Sequence, residues 1–309
     1  MGIEQDLTRG DIIKIFKEIN TTFYNKYVSK DIKILHISDI HYSGIKNMKR
    51  LNFLYEKLSK YKVDYICITG DLIDSNNIIE NSINYSFILG WLKKLTNISK
   101  VLISLGNHDI FTRIGKDLKK LYNKQFWNDV RNIDNIYLLD NESYRDDSVY
   151  VFGYTQSFNY YYKKKDEDKN IMLKEIDKYN VTKVPNNKLK ICLMHSPICL
   201  QYKDIEDRLN CYDLILSGHM HNGMIPPIID ELFDNNIGLI APNKKLFPKT
   251  ARGILIKDNI TIISPGITKL HNTVSPLIRW GNIFFPIGIN VIDISNDKCD
   301  VKKSYKYHK

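Results

Sequence analysis

Two apolar patterns alternate along the first half of the chain. Short β-branched runs at 32–37, 65–69 and 101–105 read as buried strands. Between them, Met48, Leu51, Leu54, Tyr55, Leu58 and Tyr61 recur at helical spacing, as do Ile83, Phe87, Ile88, Trp91, Leu92 and Leu95. This alternation implies right-handed crossovers, with helices covering a largely buried sheet. Later strands are expected at 136–139, 149–152, 190–194, 214–217, 253–256, 260–263 and 291–294, with a helix over 167–179. These runs lie closer together and predict hairpins, hence a more antiparallel second sheet. No repeat and no long linker divides the chain.

Two segments stand apart. Residues 11–28 carry Ile12, Ile15, Phe16, Ile19 and Phe23 at i, i+3, i+4 spacing. This predicts an N-terminal amphipathic helix within 1–30, followed by a single domain over 31–309. The helix packs on the domain or offers its apolar face to a membrane surface or a partner. Residues 160–165 (YYYKKK) read as a solvated loop or, more sharply, as an insertion facing substrate or lipid headgroups.

Composition narrows the class. Hydrophobic residues make up 43% of the chain, a globular value. No run approaches the roughly 18 uninterrupted apolar residues of a membrane helix, and the opening MGIEQDLTRGD is too charged for a signal peptide. Five cysteines with no CxxC pair argue for free thiols in a reducing, cytoplasmic setting. The net charge of +10 invites a polyanionic partner, yet 37 of the 45 basic residues are Lys. Arg, favoured for bidentate phosphate recognition, is scarce. Charge leaves the partner undecided.

The histidines are more informative. Of eight, five (His41, His108, His195, His219 and His221) fall in short polar segments just after predicted strands. These are SDIHYSG (38–44), LGNHDI (105–110), MHSP (194–197) and SGHMHNG (217–223), joined by TGDLID (69–74). In α/β sheets ligands bind beyond the strand C-termini, where such loops converge. If the segments stay extended, Asp39 with His41, and His219 with His221, point the same way. Two or three Asp, an Asn, several His and no Cys suit Mn, Fe, Zn or Co, with Mn favoured. Seven ligands exceed one ion's need. Two ions sharing a carboxylate, about 3.5–4 Å apart, are the economical reading.

The ordered blocks D-x-H, G-D-x-x-D, G-N-H-D, H and G-H-x-H resemble the calcineurin-like metallophosphoesterase superfamily from about residue 32 to 225. The G-H-x-H-x-G ending is similar to a bacterial branch that includes membrane-associated hydrolases of lipid-linked nucleotides, although that branch usually reads G-H-T-H-G-G. The resemblance implies a four-layer α-β-β-α sandwich, two mixed sheets flanked by helices. It implies that Asp39, His41, Asp71 and His221 hold one ion, and Asp71, Asn107, His195 and His219 the other. A metal-bridging hydroxide would then attack phosphorus in line with the leaving oxygen. His108 would stabilise charge or protonate the leaving group, with Asp109 grouped beside it as a catalytic or ligand-orienting carboxylate. Asp74 orients a histidine or caps a turn. Arg252, Arg279, Lys269 and His271 are candidate substrate contacts or surface residues, while His36 reads as core and His308 as tail.

The expected function is therefore hydrolysis of a phosphoester or pyrophosphate bond in a phosphodiester, nucleotide or lipid-linked phosphate. Contact with an anionic membrane at its inner face accompanies this reading, and no obligate protein partner is evident. One alternative is a metal-dependent nuclease, disfavoured because no DNA-binding region follows residue 225. Another is a non-catalytic scaffold, disfavoured because all seven ligand positions are filled.

Overall fold

The β-branched runs pair into two sheets in the computed structural model, which describes residues 16–43, 45–74, 85–114, 117–120, 122–161, 167–225, 236–242, 246–267 and 287–308. The chain runs β1 (Phe16–Tyr24), β2 (Ile32–Ile37), α1 (Ile45–Leu58), β3 (Tyr65–Thr69), α2 (Ser86–Leu95), β4 (Lys100–Ser104) and the single turn α3 (Asn107–Ile110). A small hairpin, β5 (Phe111–Ile114) and β6 (Asp117–Lys120), precedes α4 (Lys124–Arg131) and β7 (Ile136–Leu138). Next come β8 (Glu142–Arg145), β9 (Val149–Tyr154), α5 (Glu167–Lys178), β10 (Leu189–Met194), α6 (Lys203–Leu209) and β11 (Leu214–Ser217). The last strands are β12 (Gly253–Ile256), β13 (Ile260–Ile263), β14 (Ile287–Ser295) and β15 (Lys302–His308).

The first sheet has the order β15-β1-β14-β2-β3-β4-β7. Its β2, β3, β4 and β7 are parallel, as the strand–helix alternation predicts. The second has the order β12-β13-β11-β10-β9-β8. Here the antiparallel expectation fails: β9, β10, β11 and β13 are parallel, and only the edge strands β8 and β12 form hairpins. The reason is that α5 and α6 carry the chain back between β9, β10 and β11, which makes these connections crossovers.

Inner strands are buried on both faces, so their sequences are nearly continuous apolar runs. Alternate residues serve different cores. Ile34, Cys67 and Leu102 meet Ile191, Leu193 and Leu216 between the sheets. Leu35, Ile66 and Val101 instead pack on Leu51, Leu54, Trp91 and Leu92 of α1 and α2. Cys192 and Met194 pack outward with Met172, Ile176 and Ile205 of α5 and α6. The result is the expected α-β-β-α layering. His36 lies in the inner core, 2.8 Å from Thr69 Oγ1 and 3.1 Å from the Asn290 amide. Burial pushes its pKa down to about 3, so it stays neutral.

The N-terminal helix is corrected. Residues 16–24 form β1, an inner strand parallel to β14 and antiparallel to β15. Ile19, Thr21 and Phe23 share one face at period two, and all three are buried. The run Thr21, Thr22, Phe23, Tyr24 favours a strand over a helix. Residues 1–15 lie outside the described residues, and the part of the expected helix that is described belongs to the sheet. No helix among the described residues is long and apolar enough to cross a membrane.

Candidate metal centre

The ends of β2, β3 and β4 in one sheet meet those of β10 and β11 in the other. Backbone bonds continue the pairing past the strands, from Asp39 N to Gly70 O (3.1 Å), His41 N to Asp71 O (2.8 Å) and Gly218 N to His195 O (2.9 Å). Gly70 has φ +78°, and a Cβ there would lie 2.5 Å from Gly106 N and 2.8 Å from His195 Nδ1. A Cβ on Gly106 would lie 2.2 Å from Asp71 Oδ1. These two glycines let three loops close on one point.

Asp39, His41, Asp71, His219 and His221 all have φ between +45° and +66°. Left-handed backbone at non-glycine residues is uncommon, costs on the order of 1 kcal/mol or more each, and clusters at functional sites. It also corrects the extended-backbone expectation. The D-x-H and H-x-H side chains converge because the backbone turns at each of them, not because residues two apart alternate along a strand.

Asp39 Oδ1 lies 3.9, 3.8 and 3.6 Å from the Nε2 atoms of His41, His195 and His221. Asp71 Oδ2 lies 3.5 Å from His41 Nε2 and 3.0 Å from His195 Nε2. Asp71 Oδ1 accepts from His108 N at 2.8 Å, and the Asp39 carboxylate accepts from His219 N at 3.1 Å. The ligand atoms of Asp39, His41 and His221 all fall within 4.8 Å of one another, as do those of Asp71, His195 and His219. Each trio could hold a metal ion. A third trio, His41, Asp74 and His108, shares His41 with the first. Asn107 Oδ1 and His219 Nε2 are buried without a hydrogen-bond partner. His195 donates its Nδ1 proton to Thr69 O at 2.6 Å, leaving Nε2 aimed at Asp71.

Charge is unevenly distributed. Burial holds His41 down at about 4 against the pull of Asp71, and burial together with His195 holds His219 well below its ordinary range. Both are therefore neutral imidazoles, the form that binds metal. Burial opposes the charging of His195, but Asp71 and Asp39 overcome it and raise the pKa to about 9. His108 is likewise raised against burial by Asp71 and by Asp74, whose Oδ1 lies 3.4 Å from its Nδ1.

The remaining candidates divide. Asp109 is fully buried and accepts from the backbone N–H groups of Asp71 (2.8 Å), Gly106 (2.8 Å) and Ile73 (3.1 Å). Burial, then the Asp71 charge, raises its pKa to about 7. These bonds tie its carboxyl group to the loops that carry Asp71 and Gly106, in keeping with the orienting role expected of it. Arg252 donates to Ile237 O at 3.1 Å and sits within electrostatic range of Lys17 and Lys303. Lys269, His271 and Arg279 lie outside the described residues, as do residues 162–166. Tyr160 and Tyr161 are buried, so the solvated-loop reading fails for this part of YYYKKK. Sequence reasoning missed Gln156 and did not single out Tyr161, both packed beside the centre; only the aromatic run hinted at the latter.

A family model described as calcineurin-like phosphoesterase matches residues 32–223. An uncharacterized metallophosphoesterase of Helicobacter pylori strain J99 is 28% identical over 207 residues, 67% of this chain and 49% of that protein. The uncharacterized metallophosphoesterase YkoQ of Bacillus subtilis strain 168 is 27% identical over 209 residues, 63% of each chain. A dimetal phosphatase from Danio rerio superposes with a TM-score of 0.42 at 10% identity, over 76% of this chain and 88% of that one. The chain spans about half the length of its Helicobacter and Campylobacter relatives.

Proposed function

This chain belongs to the calcineurin-like phosphoesterase family, and from that premise we propose that it is a two-metal hydrolase of phosphoester or pyrophosphate bonds. Its substrate would be a phosphodiester, nucleotide or lipid-linked phosphate. Asp39, His41, His221 and Asp71 would hold one ion. Asp71, Asn107, His195 and His219 would hold the other, with Asp71 shared.

One observation carries the reading. Asn107 Oδ1 and His219 Nε2 are buried and unpartnered, and both belong to the same proposed ligand set. Each unpaired buried polar atom costs about 1–3 kcal/mol. Such ligand atoms are stabilised when a cation takes them up. Imidazole, amide and carboxylate donors without thiolate fit Mn, Fe, Zn or Co, with Mn favoured.

When bound, a pair of dications supplies an acidified water and neutralises the phosphoryl charge. The protein's own groups do the rest. Thr69 O fixes the His195 tautomer, and Asp109 holds the Asp71 and Gly106 loops in register. His108, whose pKa Asp71 and Asp74 raise against burial and whose side chain is about a third exposed, is placed to hand a proton to the leaving oxygen.

The test is hydrolysis of an aryl phosphodiester by Mn-loaded protein. Asp71→Ala or His219→Ala should reduce the rate by a factor on the order of 10³ or more. The reading fails if those variants stay active. It also fails if the loaded protein cleaves no monoester, diester or nucleotide-sugar pyrophosphate.

A further inference from the structure

Beside the centre stands an aromatic residue that the proposed chemistry leaves unused. Tyr161 follows the 3-10 turn Phe158–Tyr160 and is only 3% exposed. Its ring meets His219 at 5.1 Å between centroids, edge-on at 71°, and His195 at 5.9 Å. Its hydroxyl is buried and has no hydrogen-bond partner. A buried tyrosine O–H usually finds one, and leaving it unpaired costs about as much as each orphan among the ligands.

The surroundings fix this placement. Gln156 is fully buried and clamps the residue after His195: its Nε2 donates to Ser196 O at 2.8 Å and its Oε1 accepts from Ser196 N at 2.6 Å. Ser196 Oγ in turn donates to Tyr160 O at 3.0 Å. The Tyr160 hydroxyl donates to Met172 O at 3.1 Å and lies 2.5 Å from the Tyr154 hydroxyl. The segment carrying Tyr161 is thus fastened to the turn carrying His195.

We propose that the Tyr161 hydroxyl is a substrate-binding donor, giving its hydrogen bond to a non-bridging phosphoryl oxygen held at the metal centre. The inference rests on the phosphoesterase reading and adds a contact that the ligand set does not supply. Neutral phenol is a donor at physiological pH, and an anionic phosphate oxygen is the acceptor missing from the site. Because charge grows on those oxygens during phosphoryl transfer, the bond would strengthen in the transition state.

Tyr161→Phe keeps the ring and its packing and removes only the donor. With Mn-loaded protein, calorimetric titration of inorganic phosphate should show affinity about ten- to hundredfold weaker in the variant. Metal content should be unchanged, the melting temperature should hold or rise, and kcat on an aryl phosphodiester should fall by a similar factor. Equal phosphate affinity in the two proteins overturns the proposal. Loss of an ion from the variant also overturns it, because the hydroxyl would then serve the metal. So does wild-type protein that binds no phosphate. Phosphate binding without hydrolysis of any ester would sink the phosphoesterase reading and still decide the role of Tyr161.

Discussion

Gly106 shows how little room the centre leaves. A methyl group there would lie 2.2 Å from Asp71 Oδ1 and 2.4 Å from Asp71 N, so Gly106→Ala must displace the carboxylate proposed to bridge the ions. Overpacking of this kind costs about 1–3 kcal/mol. The larger effect expected is on function: metal affinity and phosphodiesterase rate should each fall by at least about tenfold, since a positioned ligand tolerates little displacement. Measured Mn affinity equal to that of the wild type would show that Asp71 is not held by this contact. At this scale the ligand candidates were legible because residue type carries the chemistry: His, Asp and Asn after strands, in order. The left-handed backbone at Asp39, His41, Asp71, His219 and His221 was not legible, because residue type alone does not force it. The engagement of Asp109 with backbone amides, and the isolation of the Tyr161 hydroxyl among the described residues, depend on contacts across distant segments.

Element by element, β2, β3, β4, α1 and α2 follow the sequence pattern closely, because strands buried on both faces are apolar throughout and the helices between them are amphipathic. β1 does not. Phe16, Ile19 and Phe23 satisfy a helical period, and Ile19 and Phe23 also satisfy a strand period; pairing with β14 and β15 decides between them. Only the sheet, assembled from the far end of the chain, offers those partners. The same non-local pairing hid the parallel course of β9, β10, β11 and β13. The strand assignment has a direct consequence. Phe23 is buried between the sheets with Ile32, Ile292 and Ile294, so Phe23→Ala should destabilise the protein by about 3–5 kcal/mol in urea unfolding. An amphipathic helix lying on the surface would lose far less. Unaltered stability with weakened binding to anionic vesicles would restore the helix.

For the whole molecule, the charge of +10 proves a poor guide. It is mostly Lys, whereas the candidate site draws Asp39, His41 and Asp71 from one sheet's loops and His195, His219 and His221 from the other's. Bound dications would supply the local field that a phosphate needs. The two-sheet architecture explains why the ligand blocks are spread from residue 39 to 221 yet converge: each follows a strand whose C-terminal end opens on the same edge. That spacing was legible in the sequence. The convergence became physical only through the inter-sheet core. All of this turns on whether two ions bind. Elemental analysis of the Mn-loaded, desalted chain tests it most directly. The account predicts about two ions per wild-type chain and fewer than one in Asp71→Ala, which removes the shared ligand. A wild-type chain holding fewer than one transition-metal ion, and not filled by added Mn, would contradict it.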